Sequence, residues 1–430
     1  MFLIIAAAFN PHVKSFFSLP TQQRVTVGDH IRFKLEFPQN LLKQFSLYVE
    51  SNEHNVLLLN GTDISGKVFS FVDGWPMATT PGKANIQIRL FGLFPVKNVK
   101  VEVVPQTKLV PGGHSVGVLL HSEGVIVVGQ SIVEDNNGNK FNPAKDAGIE
   151  VGDVIISING QTVTSDEQVA KIIDTMGNEG KNLELLVKRN GKKIPVTIKP
   201  IRCRETERFR IGLYIRDSAA GVGTLSFYDP STGKYGALGH VITDADTNQP
   251  IDVSDGMIVK ASIQGIQVGK SGVPGEKIGM FVNEKDFSGT IEKNTKYGIY
   301  GSMSGKIENP YYREMLPIAL ANQVKTGPAE MLTVLKGQKI EKFMVEIKKV
   351  LPQTVPDSKG LIIEVTDPRL LKKTGGIIQG MSGSPLIQEG KIVGAVTHVF
   401  INDPTRGYGC LIEWMLKETE GLNKPLISFF

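Results

Sequence analysis

Ala144-Lys145-Asp146-Ala147-Gly148-Ile149-Glu150-Val151-Gly152-Asp153-Val154-Ile155 runs on into Ile158-Asn159-Gly160, and turn chemistry lays out what surrounds it. Gly152-Asp153 suits a turn, and Asn159-Gly160 is the strongest two-residue hairpin signal. Ser165 and Gln168 follow at capping-box spacing, because a hydroxyl and an amide three residues apart can satisfy each other's end of a helix. Val169, Ile172 and Ile173 then recur at helical spacing, which predicts one amphipathic helix. Asn190-Gly191 turns a final hairpin.

The string A-x-x-A-G-I-x-x-G-D-x-I-x-x-I-N-G within this order resembles the PDZ domain of the protease-associated type, here over 107–205. In that family, backbone N–H groups of a loop before the second strand hold a peptide's C-terminal carboxylate, and the peptide adds to a sheet edge. The matching segment is Ser115-Val116-Gly117-Val118, preceded by Gly112 and Gly113. The resemblance therefore implies Val116, Gly117 and Val118 as the peptide-binding loop.

On the N-terminal side, 21–106 alternates polar and apolar residues. Ile31, Phe33, Leu35 and Phe37 keep period two, as do Ile86, Ile88 and Leu90, then Val99, Val101 and Val103. This predicts a small antiparallel β module, with a scaffold or partner-binding role as the expectation. The first 20 residues open on Met-Phe-Leu-Ile-Ile-Ala-Ala-Ala-Phe, too short to span a bilayer. With Ala6-Ala7-Ala8 resembling a cleavage box, they read as the remnant of a signal or membrane anchor; the alternative is a first strand. On the C-terminal side, 206–430 reads as short strands split by glycine turns, which fits a double β-barrel. The whole is expected to be mainly β: an N-terminal β module, a PDZ domain and a chymotrypsin-like double β-barrel peptidase domain.

Composition agrees with several domains. The 430 residues correspond to about three. Lys plus Arg number 48 against 43 Asp plus Glu, a net charge of +5, without the basic run that marks a nucleic-acid partner. Two cysteines, Cys203 and Cys410, exclude a disulfide framework and a Cys-rich zinc site; the sequence leaves open whether they pair. There is neither a Walker-type phosphate loop nor an H-E-x-x-H helix, and no cofactor is expected.

The sharpest chemical motif is Gly380-Met381-Ser382-Gly383-Ser384-Pro385. A reactive serine needs a tightly turned backbone to present its hydroxyl, with free N–H groups where negative charge develops on the substrate oxygen. Glycines on both sides permit the required φ values. The string resembles the nucleophile loop of chymotrypsin-like serine proteases, which implies Ser382 as nucleophile and the N–H groups of Gly380 and Ser382 as the oxyanion hole. A serine needs a base, and of seven histidines only His240 and His398 share its segment. Gly236-Ala237-Leu238-Gly239-His240 resembles the histidine loop of the same clan, making His240 the candidate base. His398, on Gly394-Ala395-Val396-Thr397-His398-Val399-Phe400, falls on the strand that lines the specificity pocket in that clan. The orienting carboxylate is open by spacing: Asp244, Asp246, Asp252, Asp255, Asp286, Asp357 and Asp367 all lie between His240 and Ser382.

Taken together, Arg-Ile-Gly-Leu-Tyr-Ile-Arg-Asp-Ser-Ala-Ala-Gly (210–221), Lys-Tyr-Gly-Ala-Leu-Gly-His (234–240), Thr-Asp-Pro-Arg-Leu-Leu (366–371) and Gly-Gly-Ile-Ile-Gln-Gly-Met-Ser-Gly-Ser-Pro (375–385) resemble the stage IV sporulation protein B family of endospore-forming bacteria. That resemblance implies a His240, Asp367, Ser382 triad working through an acyl-enzyme. It implies a signalling serine endopeptidase secreted from the forespore into the space between its membranes, membrane-associated before processing. Its partners would be the extracytoplasmic part of a membrane-bound inhibitor, whose cleavage releases an intramembrane metalloprotease that activates a late mother-cell sigma factor, and its own N-terminal region, which it processes. The rival expectation is a non-enzymatic PDZ scaffold with an inactive peptidase-like barrel. An esterase is disfavoured because Ser384-Pro385-Leu386-Ile387 reads as a strand, whereas a G-x-S-x-G elbow leads into a helix.

Overall fold

The computed structural model describes residues 19–33, 37–282, 287–305, 307–353 and 356–422. Most of the stretch read as an anchor remnant lies outside these residues, as do Leu35 and Asp286. The chain forms two compact units, 19–108 with 317–324, and 109–316 with 325–422.

The first unit is a five-stranded sheet in the order β1-β5-β4-β2-β3, with β1 Gln22–Thr26, β2 Phe45–Glu50, β3 Val68–Ser70, β4 Gly82–Leu90 and β5 Phe94–Val104. The alternation seen in the sequence builds its core. Ile86, Ile88, Val99, Val101 and Val103 pack together with Leu47 and Ile31, while the intervening Glu102 pairs with Arg24 at 3.0 Å. Pairing is antiparallel except for β1 on β5, which is parallel.

The second unit is organised by two long strands, β6 Ser115–Gln130 and β10 Leu213–Asp229. Between them run β7 Val154–Ile158, α1 Asp166–Asn178, β8 Leu183–Arg189 and β9 Lys192–Ile198. Along the front half of β6, Ser115–His121 pair with Thr224–Ser218 of β10 and Val116–His121 with Lys260–Asp255. Along its rear half, Val125 and Ile126 pair with β7 while Ile126–Gln130 pair with Arg216–Leu213. The same two strands thus serve two sheets. β6 and β10 close a six-stranded barrel with β11 Lys234–Ala237, β12 Val253–Gln267, β14 Ser288–Thr290 and β15 Gly298–Ser304; β13 Glu276–Val282 lies outside the ring, paired to β12. With β7, β8, β9 and α1 the rear halves of β6 and β10 make the PDZ fold.

A bulge at Ser122–Gly124 divides the two halves of β6. The even residues Val116, Val118 and Leu120 in front of it and Ile126 behind it all pack in the barrel core, while behind it the odd residues Val125 and Val127 pack in the PDZ core with Ile155, Ile158, Val169 and Leu185. Successive side chains of a strand point to opposite faces, so one strand serves both cores. Gly124 allows the bend, since its φ is +91° and a Cβ there would sit 2.5 Å from the Ile155 carbonyl oxygen. The capped helix is as expected: Ser165 accepts the Gln168 N–H at 3.2 Å and the Gln168 side chain reaches back to the Thr164 N–H at 3.0 Å.

The last part of the chain closes a second barrel, β16 Gly327–Val334, β17 Ile340–Val350, β18 Leu361–Val365, β21 Asp403–Leu411, β20 Lys391–Phe400 and β19 Pro385–Gln388 in that ring order. A short helix, α2 Pro368–Thr374, sits between β18 and β19, and α3 Ile412–Lys417 follows β21. The mainly β, PDZ-plus-double-barrel expectation holds. Cys203 and Cys410 are free thiols. Among the described residues no helix is long and apolar enough to cross a membrane.

Barrel closure is testable at Gly301 of β15, where a Cβ would lie 1.9 Å from the Thr290 carbonyl oxygen on the neighbouring strand. Gly301→Ala is expected to cost about 1–3 kcal/mol, the usual penalty for overpacking, as a lowered urea midpoint. An unchanged midpoint would contradict the close approach of β14 and β15.

Candidate active site

The nucleophile loop is held from both barrels. Within it, Met381 N–H donates to the Ile378 carbonyl at 3.1 Å and Ser384 N–H to the Met381 carbonyl at 2.9 Å, while Gly383 N–H donates to Val396 of β20 at 2.7 Å. From the first barrel, the buried Thr224 of β10 donates its hydroxyl to the Gly380 carbonyl at 2.8 Å and its N–H to the Ser382 carbonyl at 3.0 Å. Gly383 has φ +93°, and a Cβ there would lie 2.0 Å from the Thr224 oxygen, so glycine is a steric requirement at this position. The chain conformation leaves the N–H groups of Gly380 and Ser382 without an acceptor among the described residues. Both residues line one cleft, and unengaged N–H groups there are a ready anion site.

Lys277 carries no motif that singles it out in the sequence. Its N–H donates to the Gln379 carbonyl at 3.0 Å, its stem backs Gly380, and among the described residues its ammonium donates only to the Thr333 hydroxyl, at 2.7 Å. It is 2% exposed, and burial pulls its pKa down to about 7. Only the tertiary fold brings β13 beneath the loop.

His240 follows β11 after two consecutive left-handed residues, Leu238 at φ +69° and Gly239 at φ +73°, which turn the chain out of the barrel towards Ser382. Its Nδ1 lies 2.8 Å from the Val241 carbonyl. A carbonyl can only accept, so Nδ1 carries the proton and Nε2 is left as the basic nitrogen. Burial lowers the pKa of His240 and favours this neutral form. The ring of His398 stands 4.9 Å from it, centroid to centroid, tilted by 40°; burial, then His240 and Lys359, pull His398 down to about 4. His240, Ser382 and His398 line one cleft of about 860 Å³, walled by Val222, Ile377, Ile378, Val399 and Ile401. Arg216 is its single charged lining residue, and no carboxylate lines it among the described residues. The Ser382 hydroxyl donates to the Thr397 carbonyl at 2.7 Å, so the candidate nucleophile is parked against β20.

The structure does not bring Asp367 to His240. Asp367 is the N-cap of α2, and its carboxylate accepts from the N–H groups of Arg369 at 3.0 Å and Met344 at 3.2 Å and from the Arg369 guanidinium at 2.8 Å. The Arg369 side chain, ahead of the backbone N–H groups, draws its pKa down to about 2. An Asp before Pro reads the same in sequence whether it caps a helix or orients an imidazole; here it caps. Asp244 is also spent, buried under Arg216 and the N–H groups of Asp246 and Thr247.

The peptide-binding loop also needs correction. Val116, Gly117 and Val118 lie in the first barrel with both edges paired, to β10 and to β12. Val116 and Val118 are buried, and the Phe281 ring covers Gly117. No edge remains there for a peptide. An open edge exists instead at the start of β10, where Leu213–Arg216 pair only with β6 among the described residues. Opposite stands α1, and between them runs a groove of about 420 Å³ walled by Ile132, Val169, Ala170, Ile173, Phe209 and Ile215. At its end the N–H groups of Ile211 and Gly212 have no acceptor among the described residues, with Gly212 at φ +77°. The available signal was Arg210-Ile211-Gly212-Leu213, a glycine between apolar residues just before a strand; it follows the helix in sequence, which hid its part in the groove.

With this geometry, the fold class is a PDZ module carried on a double β-barrel of the serine-peptidase type. Residues 207–416 match the family described as SpoIVB peptidase S55 and 135–189 match the PDZ domain. Just under half of the chain thus matches the SpoIVB peptidase family. Among curated proteins it is 41% identical over 58 residues to serine protease HTRA1 of Xenopus tropicalis, covering 14% of this chain and 12% of that protein, and 40% identical over the same length to that of Xenopus laevis. The chain thus matches about an eighth of the length of these relatives. Among solved structures, the PDZ domain of the SdrC-like protein from Listeria monocytogenes is 24% identical with a TM-score of 0.18, covering 22% of this chain and 87% of that one. The active form of the Rv3671c protease from M. tuberculosis is 15% identical with a TM-score of 0.27, covering 48% and 77%.

Two outcomes follow. If neutral His240 activates Ser382, the acid limb of fluorophosphonate labelling falls below pH 6.5, because a lowered pKa keeps the basic form present to lower pH; a limb above pH 7 would require a carboxylate at the ring. Asp367→Asn is expected to cost stability of about 2 kcal/mol above pH 4, fading as pH falls towards 2, since a depressed carboxylate pKa stabilises the fold only while ionised. Its labelling should fall far less than that of His240→Ala; an equal loss would show that Asp367 reaches His240 in another conformation.

Proposed function

We propose that the chain is a serine endopeptidase in which Ser382 is the nucleophile and His240 the base. The observation that carries this is a serine set between two unengaged N–H groups, those of Gly380 and Ser382, in one cleft with a neutral imidazole. The Ser382 hydroxyl first turns off the Thr397 carbonyl. That costs the net worth of one hydrogen bond, roughly 0.5–1.5 kcal/mol, well under the roughly 2.7–4 kcal/mol that one oxyanion donor supplies, so the parked rotamer is no lock. Oγ then attacks the peptide carbonyl carbon as its proton passes to His240 Nε2. The substrate oxygen becomes an oxyanion facing the two N–H groups. Collapse breaks the C–N bond, and His240 returns the proton to the leaving amine. Water repeats the sequence to free the acid and restore Ser382. The Val241 carbonyl holds the imidazole tautomer, the task first assigned to Asp367.

The match of residues 207–416 to the SpoIVB peptidase family supports a more specific role. The substrate would be the extracytoplasmic part of a membrane-bound inhibitor, whose cleavage frees an intramembrane metalloprotease to activate a late mother-cell sigma factor. The enzyme would also cut its own N-terminal region, and would work in the space between the forespore membranes. The groove between α1 and the start of β10 would take an extended peptide, its terminal carboxylate at the Ile211 and Gly212 N–H groups.

The test is active-site labelling of the purified chain with a fluorophosphonate. Wild type should label, while Ser382→Ala should not and His240→Ala should lose at least about a hundredfold in rate, the low end of what a general base contributes. Unlabelled wild type with intact peptide binding would instead favour the PDZ scaffold with an inactive barrel.

A further inference from the structure

The loop that follows His240, residues 241–252, rests on the PDZ fold as well as on its own barrel. Its base is held by Asn294, which accepts from the Ile242 N–H at 2.8 Å and donates to the Ile242 and Ile251 carbonyls at 2.8 and 3.0 Å. Its tip is folded around Asp244, which accepts from the Asp246 and Thr247 N–H groups at 3.1 and 2.9 Å. Three ties then run to the PDZ side. Arg216 grips Asp244 at 2.9 Å and Asp246 at 2.6 Å. The Gln249 amide covers Gly152, where a Cβ would come within 2.3 Å of it. Lys188 of β8 reaches Asp252 at 2.8 Å.

Arg216 occupies a singular position among these. It is the last residue of the open groove edge of β10, and Ser218–Val222 just beyond it line the catalytic cleft. Its neighbour Asp217 accepts the N–H of Asp166, the first residue of α1, at 3.2 Å, and the Asp217 carbonyl is held by the Ser122 hydroxyl at 3.2 Å. Two adjacent residues therefore tie the two walls of the groove to the histidine loop. A strand paired along its length does not absorb a displacement locally without breaking ladder bonds, so movement of Leu213–Ile215 is passed to Arg216. The guanidinium, planar and forked onto two carboxylates, passes it on with little slack. Asp244 is 1% exposed, so its side chain has no solvated position to which it could yield.

We propose that Arg216 is a positioning residue for His240, and that an extended peptide seated along Leu213–Ile215 changes the reactivity of Ser382 through it. This rests on the reading of Ser382 and His240 as the reacting pair and of the groove as a peptide site. It adds a route: one strand and one forked ion pair joining recognition to chemistry.

The experiment uses the full chain and measures the fluorophosphonate labelling rate with and without a saturating probe, a fluorescein-labelled heptapeptide Gly-Ser-Gly-Tyr-Val-Ile-Phe with a free carboxylate. Fluorescence anisotropy reports its binding separately. In wild type the bound peptide should change the labelling rate by on the order of fivefold or more, the usual range of coupling between sites. Arg216→Gln should bind the peptide within about twofold of wild type, yet lose both that response and basal labelling rate, with Arg216→Lys recovering part of the basal rate. Asp246→Asn, at the half-exposed arm of the fork and thus gentle on folding, should weaken the response without weakening binding. A full peptide response in Arg216→Gln and Asp246→Asn would overturn the proposal, as would a wild type that labels at one rate whether or not the peptide is bound. A wild type that labels but does not bind the peptide would overturn the groove as the site. A wild type that never labels would overturn the reading of Ser382 itself, and is distinguished by that.

Discussion

Thr224 holds the candidate site together. It is wholly buried on the first barrel, and its three polar groups face three different needs: its hydroxyl takes the Gly380 carbonyl, its N–H takes the Ser382 carbonyl, and its own carbonyl receives the Leu238 N–H at 3.2 Å. The nucleophile loop belongs to the second barrel, and Leu238 leads into His240 on the first. One residue therefore sets the spacing between Ser382, the proposed nucleophile, and His240, the proposed base, across two separately closed sheets. It also uses up the Gly380 and Ser382 carbonyls, while the N–H groups of the same two residues are unengaged among the described residues, which is the polarity that a developing oxyanion requires. Gly383 is the steric counterpart, since any side chain there would strike the Thr224 oxygen.

The second constraint is the sharing of β6 and β10. A PDZ fold attached by a flexible linker would recognise peptides independently of whatever it is attached to. Here the strands that form its sheet are the strands that close the first barrel, and behind Gly124 the two faces of β6 serve two cores, Ile126 the barrel's and Val125 and Val127 the PDZ fold's. The proposed recognition groove and the proposed reactive site are thereby built on one hydrogen-bonded ladder. The cleft itself is walled by branched apolar side chains, with Arg216 as its charged member among the described residues.

What the sequence disclosed was local. The turns at Asn159-Gly160 and Asn190-Gly191, the Ser165 cap, the alternation of β4 and β5, and the glycines around Ser382 each follow from the conformational needs of a few adjacent residues. What it concealed was long-range. Ser115–Val118 reads as a glycine-bearing loop until its two pairing partners, about a hundred residues and more downstream, are known. Asp367 has the residue type of a triad member and the neighbours of a helix cap, and only the tertiary position of Met344 and Arg369 separates the two. Lys277 and Thr224 carry no motif at all, because their roles come from what folds against them.

The central claim is that Ser382 attacks a carbonyl whose oxygen is received by the N–H groups of Gly380 and Ser382. Its most direct test is a crystal structure of the chain with a peptidyl boronic acid, which imitates the tetrahedral intermediate. The account predicts boron bonded to Ser382 Oγ, a boronate oxygen within about 3.1 Å of both N–H groups, and the serine side chain turned away from the Thr397 carbonyl. A boronate absent from Ser382, or bonded there with its oxygen facing away from Gly380, would contradict it.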